Sequence, residues 1–135
     1  MTTQAVVMDL IRHKVRATNT SVLLITHDLA LAAEYCDRVA VMHAGHVVEI
    51  ADTVSLRRHP RHPYTARLLG ATPGPKLRLA DLSAIPGTLP DLRSELPPCR
   101  FAARCDRVSN ICRMASLPTH EPGEGGHLVR CHHPL

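Results

Sequence analysis

The alternation of apolar and polar positions changes character along the chain, and the first half is the more regular. From residue 3 to about residue 17, Val7, Leu10, Ile11 and Val15 fall on one helical face, with Arg12, His13, Lys14 and Arg16 around them. Lys14 and Arg16 suit the negative end of a helix dipole, and Asn19 and Ser21 break the pattern. Val22-Leu23-Leu24-Ile25 is a continuous apolar run, too short for a buried helix. It predicts a strand covered on both faces, as in a parallel sheet. Thr26 then serves as an N-cap with Asp28 in the first turn, predicting a second helix whose apolar face carries Leu29, Ala32, Ala33 and Cys36. Arg38–Met42 and His46–Ile50, joined through His43-Ala44-Gly45, read as a β-hairpin.

Beyond the hairpin the pattern shortens. A helix is expected over Asp52–Arg58 and ends at Pro60, and Pro63 opens another that runs through Tyr64, Ala66, Leu68 and Leu69 to Gly70. Residues 71–98 are rich in proline and glycine and predict a linker or strap without regular structure. Residues 99–135 have too few large apolar side chains for a core of their own. Strand, helix and hairpin make the fold class α/β, organised as a regular part (1–70), a linker (71–98) and a tail (99–135).

Composition narrows the function classes. Aromatics make up 2% of the 135 residues, too few for a stacking platform for single-stranded nucleic acid. The net charge of +4 is scattered, and the densest group, Arg57-Arg58-His59-Pro60-Arg61-His62, reads as a solvated surface, with contact to anionic lipid or nucleic acid as the alternative. No nucleic-acid partner is expected. No stretch approaches the ~18 to 20 apolar residues of a membrane span, and the N-terminal sequence has no basic leader followed by an apolar block. A cytosolic chain, at most peripheral to a membrane, is expected.

In a reducing compartment, clustered cysteines favour ligation over disulfides. Cys99, Cys105, Cys112 and Cys131 are spaced C-x5-C-x6-C-x18-C, without the tight pair of most zinc sites. Four thiolates at wide spacing suit an iron–sulfur cluster. Zinc stays open because His127, His132 and His133 crowd the last cysteine, and so does a purely structural role. Cys36 is expected as a small buried residue of the second helix. His27, between the expected strand and helix, is placed where backbone N–H groups favour an anion, although a capping or surface histidine would occupy the same position.

Leu24-Ile25-Thr26-His27-Asp28-Leu29, then Cys36-Asp37-Arg38-Val39, then Val41-Met42-His43-Ala44-Gly45 closely resemble the switch-histidine region of ABC transporter ATPases. His62-Pro63-Tyr64-Thr65 and Ile85-Pro86-Gly87 through Pro90 resemble the oligopeptide/dipeptide importer branch, and Thr3-Gln4-Ala5 resembles the segment after the family's D-loop. The resemblance implies the C-terminal portion of a P-loop-type nucleotide-binding domain followed by a loop-rich, cysteine-ligated tail. It implies that His27 is the switch histidine, catalytic and nucleotide-contacting, acting on ATP with Mg²⁺ in the complete subunit. It also implies a [4Fe–4S] cluster, with Zn²⁺ as the alternative, on Cys99, Cys105, Cys112 and Cys131. The implied partners are transmembrane permease subunits, a second ATP-binding subunit and, indirectly, a peptide-binding protein. The place of work is the cytoplasmic face of the cell membrane.

The sequence holds no G-x-x-x-x-G-K-[ST] loop, no L-S-G-G-Q signature and no apolar strand ending in the acidic pair that holds Mg²⁺. Phosphoryl transfer rests on those parts, so the chain alone is not expected to hydrolyse ATP. Three other readings remain at this point: a truncated reading frame, a half that complements a separately encoded N-terminal half, and a free-standing metal- or cluster-binding module. A bare parallel strand at Val22–Ile25 would also make the isolated chain prone to self-association.

Overall fold

The computed structural model describes residues 3–72, 84–118 and 126–135. The chain divides into two compact units, Met1–Asp37 and Arg38–Leu135.

The first unit is helical. Helix α1 spans Thr3–Thr18, as its apolar spacing predicts. It ends where Asn19 turns into the left-handed region (φ 47°) and the Thr20 N–H reaches back to the Val15 carbonyl at 3.2 Å. That six-to-one closure is the usual way a helix satisfies its last carbonyls, and asparagine tolerates the conformation. Helix α2, Leu29–Tyr35, is capped by Asp28, whose carboxylate accepts the Leu31 N–H at 3.0 Å. Thr26, expected as the cap, sits two residues before it: its hydroxyl accepts the Asp28 N–H at 3.0 Å and shapes the entry turn. Cys36, expected on the helix face, is the C-cap and half-buried. Between α1 and α2, Arg12 lies over the Tyr35 ring at 5.6 Å from its centroid.

The strand expected at Val22–Ile25 does not form. This segment joins no ladder among the described residues, and Leu23 and Ile25 are 88% and 89% exposed. A strand buried on both faces needs neighbours to complete its hydrogen bonds, and the described residues of this unit otherwise hold only two helices.

The second unit is built on a three-stranded antiparallel sheet in the order β1-β2-β3, with β1 at Arg38–His43, β2 at His46–Asp52 and β3 at Leu128–Val129. The β1–β2 turn uses Ala44 (φ 48°) and Gly45 (φ 84°), the two positive φ values of the tight turn whose twist matches its strands. A bulge shifts the register between Val41 and Met42, so Val41 faces Glu49 while Met42 faces Val47. β3 comes from the far end of the chain and pairs Val129 with Glu49 and Leu128 with Ile50.

Helix α3, Thr53–Arg58, starts on Asp52, whose carboxylate accepts the Ser55 N–H at 2.9 Å. Helix α4, Pro63–Gly70, carries proline in its first turn, where a missing N–H costs nothing. Residues 84–98 have no helix or strand, as expected of the linker, while 73–83 lie outside the described residues. The tail adds a 3-10 turn at Ala102–Arg104 and helix α5 at Ile111–Met114.

Two apolar clusters hold this unit. Val41, Val48, Ala51 and Leu56 form one, and Cys99, Phe101, Ala102 and Cys112 form the other; Tyr64 packs against both. His43, at the end of β1, tilts against Tyr64 at 4.4 Å and meets Phe101 edge-on at 5.3 Å. The tail, poor in large apolar residues, thus shares a core with the hairpin and α4. Arginines reinforce the join: Arg100 donates to the Ala44 carbonyl, and Arg104 to the Pro86 and Ile85 carbonyls at 2.8 and 3.1 Å.

Candidate functional site

Cys99, Cys105, Cys112 and Cys131 line one cavity, together with His62, Phe101, Ala102, His132 and His133. Residues far apart in sequence are brought there by the tail's own short turns. The Cys99 N–H donates to the Cys112 carbonyl at 3.1 Å, tying the first turn to α5, and β3 delivers Cys131 from the sheet. Among the described residues, no group of three or more His, Cys, Asp or Glu side chains is arranged to hold a metal ion. What the four cysteines share is the cavity.

The sulfurs sit in an environment with opposing influences. Burial raises the Cys99 and Cys105 thiols above the ordinary range, and pushes Cys131 up to about 11, with the nearby Cys99, Cys105 and Cys112 adding to the rise. Backbone N–H groups work the other way. His133 N–H donates to the Cys131 sulfur at 3.3 Å, the backbones of Phe101 and Ala102 hydrogen-bond Cys99, and that of Arg107 hydrogen-bonds Cys105. Donors aimed at sulfur favour the thiolate, whereas desolvation favours the thiol. Burial is the larger influence here, so at neutral pH Cys99, Cys105 and Cys131 hold their protons.

Beside the cavity lies a buried polar hub that the sequence reading does not identify. Glu49, on β2, is fully buried. Its carboxylate accepts the Arg61 N–H at 2.6 Å, the His62 N–H at 3.0 Å and His127 Nε2 at 2.7 Å. A buried carboxylate needs such company, because a bare one would be prohibitively costly. One side chain therefore fixes the entry to α4 and the start of the segment that carries Cys131. The only sequence signal is a glutamate among the apolar residues Val47, Val48, Ile50 and Ala51 of β2.

His62 is 1% exposed, which corrects the reading of the Arg57–His62 run as solvated surface; Arg57, Arg58 and His59 are exposed as expected. His62 is turned inward because its backbone belongs to Glu49 and its ring caps α4, with Nδ1 accepting the Tyr64 N–H at 3.0 Å. Burial takes its pKa down to about 4, against the pull of Glu49 and with a further push from His43. Nε2 is buried without a hydrogen-bond partner among the described residues. Two other histidines of the cavity are engaged: His133 Nε2 is 2.6 Å from Ser109 Oγ, and His132 Nε2 is 3.4 Å from the Ala115 carbonyl.

His27 lies in the first unit, exposed, one residue before the Asp28 cap. Among the described residues no helix is long and apolar enough to cross a membrane.

Comparison with known proteins agrees with this architecture. Residues 48–112 match the family model described as oligopeptide/dipeptide transporter, C-terminal region. The dipeptide transport ATP-binding protein DppD of Bacillus subtilis is 43% identical over 131 residues, which are 97% of this chain and 39% of that protein. The oligopeptide transport ATP-binding protein AppD of the same organism is 42% identical over 133 residues, 97% of this chain and 40% of its own length. The dipeptide transport ATP-binding protein DppD of Escherichia coli is 36% identical over 135 residues, 100% of this chain and 41% of its own length. The chain thus spans about two fifths of the length of the curated relatives it matches.

Proposed function

The chain belongs to the ATP-binding subunits of peptide ABC transporters, corresponding to their C-terminal part, and from that premise we propose that it serves ATP-driven import of dipeptides or oligopeptides. The observation that carries this reading is similarity over nearly the whole chain to subunits described as transporting those substrates. In the working assembly, His27 is the switch histidine: it hydrogen-bonds the terminal phosphate of an ATP held, with Mg²⁺, by phosphate-binding residues outside this sequence. Permease subunits and a second ATP-binding subunit complete the machine at the cytoplasmic face of the membrane, and a peptide-binding protein delivers the substrate. Without a phosphate loop of its own, the 135-residue chain does not turn over ATP by itself.

The tail has a second role in this reading: Cys99, Cys105, Cys112 and Cys131 hold a [4Fe–4S] cluster. The donor set fits the group. Four thiols line one cavity, and three of the sulfurs already receive backbone N–H groups that stabilise thiolate. When bound, the cluster supplies four metal–thiolate links to a segment short of large apolar side chains. The protein's part is to exclude water with Phe101 and Ala102, to aim backbone donors at the sulfurs, and to hold the Cys131 segment through the Glu49–His127 pair.

The test of the transport reading is a chimera. The Bacillus subtilis dipeptide subunit, with its matching C-terminal part replaced by this chain, is expected to restore dipeptide uptake to a strain lacking that subunit. His27→Ala in the chimera is expected to abolish uptake while leaving protein level and ATP binding in place. A stable, ATP-binding chimera that supports no uptake contradicts the reading, and so does an unaffected His27→Ala variant.

A further inference from the structure

Resting on the cluster reading above, we propose that His62 is a positioning residue for the group held by the four cysteines, its Nε2–H donating a hydrogen bond to a sulfur within their cavity. The tautomer follows from geometry. Nδ1 accepts the Tyr64 N–H at 3.0 Å, so that nitrogen carries no proton, and the neutral ring bears its hydrogen on Nε2. This N–H is buried, has no acceptor among the described residues, and belongs to a ring lining the same cavity as all four sulfurs. A buried donor without an acceptor costs about 1–3 kcal/mol, and native structures rarely leave one without a reason. The neighbouring Pro63, Phe101 and Ala102 side chains, which also line the cavity, offer no acceptor.

Two features set His62 apart from the other histidines of the cavity. His132 and His133 already direct Nε2 to Ala115 and Ser109, and both are less buried. His62 is also held in advance. Glu49 grips the backbone of Arg61 and His62, Pro63 stiffens the next position, and the cap bond to Tyr64 sets the ring. A donor fixed in this way loses little freedom when its acceptor arrives, which is how side chains beyond the ligand shell tune a metal group. A hydrogen bond to sulfur favours the state with more negative charge, so it favours the reduced cluster.

The experiment uses the complete chain purified without oxygen, as wild type, His62→Asn and His62→Gln. Asparagine is a good N-cap and keeps an acceptor for Tyr64, but it lacks a donor at the reach of Nε2; glutamine places an amide N–H near that reach. His62→Asn is expected to keep wild-type iron content and far-ultraviolet circular dichroism. Its reduction equilibrium should shift about tenfold toward the oxidised cluster, about 59 mV lower for a one-electron couple, with His62→Gln recovering most of the difference. In wild type labelled with ¹⁵N in its histidine imidazoles only, pulsed EPR of the dithionite-reduced cluster should show a weakly coupled nitrogen, one that persists when His132 and His133, which line the same cavity, are replaced by glutamine. That measurement decides the matter even where the asparagine variant fails to fold. Wild type with iron but no such coupling, or a folded His62→Asn with the wild-type potential, overturns the role of His62 and leaves the cluster reading standing. Wild type that takes up no iron overturns both.

Discussion

Met1–Asp37 and Arg38–Leu135 treat their apolar residues in opposite ways. In the first unit, Met8 and Ala32 are the buried apolar residues, while Leu10, Leu23 and Ile25 stand more than half exposed. In the second, a small set of residues is used intensively: Tyr64 serves two clusters, Phe101 is 1% exposed, and a buried glutamate joins three donors from two distant segments. The difference shows that apolar content alone does not make a core. Val22–Ile25 is a continuous apolar run, yet Val22, Leu23 and Ile25 stay exposed, because a two-faced strand takes its burial from neighbouring strands. The tail, short of large apolar side chains, is well packed because it borrows a sheet edge, an aromatic and a carboxylate from the hairpin and α4.

The sharpest way to break this contrast is at Glu49. Glu49→Ala strands the Arg61 and His62 N–H groups and His127 together, and should cost the second unit about 4 kcal/mol in urea unfolding. Retention of wild-type stability would mean the hub is ornamental. Phe101→Ala is expected to lose nearly as much, about 3.5 kcal/mol, since the ring closes the cavity and meets both His43 and Tyr64. Labelling with a thiol reagent should show Cys99 and Cys112 reacting faster in this variant than in wild type.

Acid acts on the same unit. His62 titrates near 4 in the folded chain and near about 6.5 when unfolded, so between those values the unfolded chain binds the proton that the folded one refuses. Stability should therefore fall as pH drops through that window, by about 3 kcal/mol once pH 4 is reached. Burial of His43 adds a fall in the same direction. A stability profile flat from pH 7 to pH 4 would contradict the buried, neutral imidazole. The smallest effect belongs to the first unit. Leu23→Ser with Ile25→Ser should change unfolding stability by less than about 0.5 kcal/mol, yet reduce self-association in sedimentation velocity, because those side chains face water and not a core.

The same contrast explains what could be read from sequence. The hairpin, α3 and α4 are specified locally, by Gly45 in the tight turn, by Asp52 as a cap and by Pro63 in a first turn, and the structure has them where those residues predict. Cys99, Cys105, Cys112 and Cys131 read as a group from their spacing, and the structure places them around one cavity. Legibility ended where long-range partners decide. Nothing near Glu49 in sequence reveals that Arg61, His62 and His127 will meet it, and nothing near Val129 reveals that it completes a sheet with β2. The Arg57–His62 run looked solvated because its charge is local, whereas the burial of His62 depends on a carboxylate from another strand. The strand expected at Val22–Ile25 fails for the converse reason: its local signal is strong and its partners are not among the described residues.

The central proposal is that the thiol cavity of the second unit holds an iron–sulfur cluster, and metal analysis of the chain purified without oxygen tests it most directly. The account predicts about four irons per chain, broad visible absorption that bleaches on reduction, and loss of both when Cys99 and Cys131 are replaced by serine. Stoichiometric zinc, or no metal with the fold intact, would contradict it.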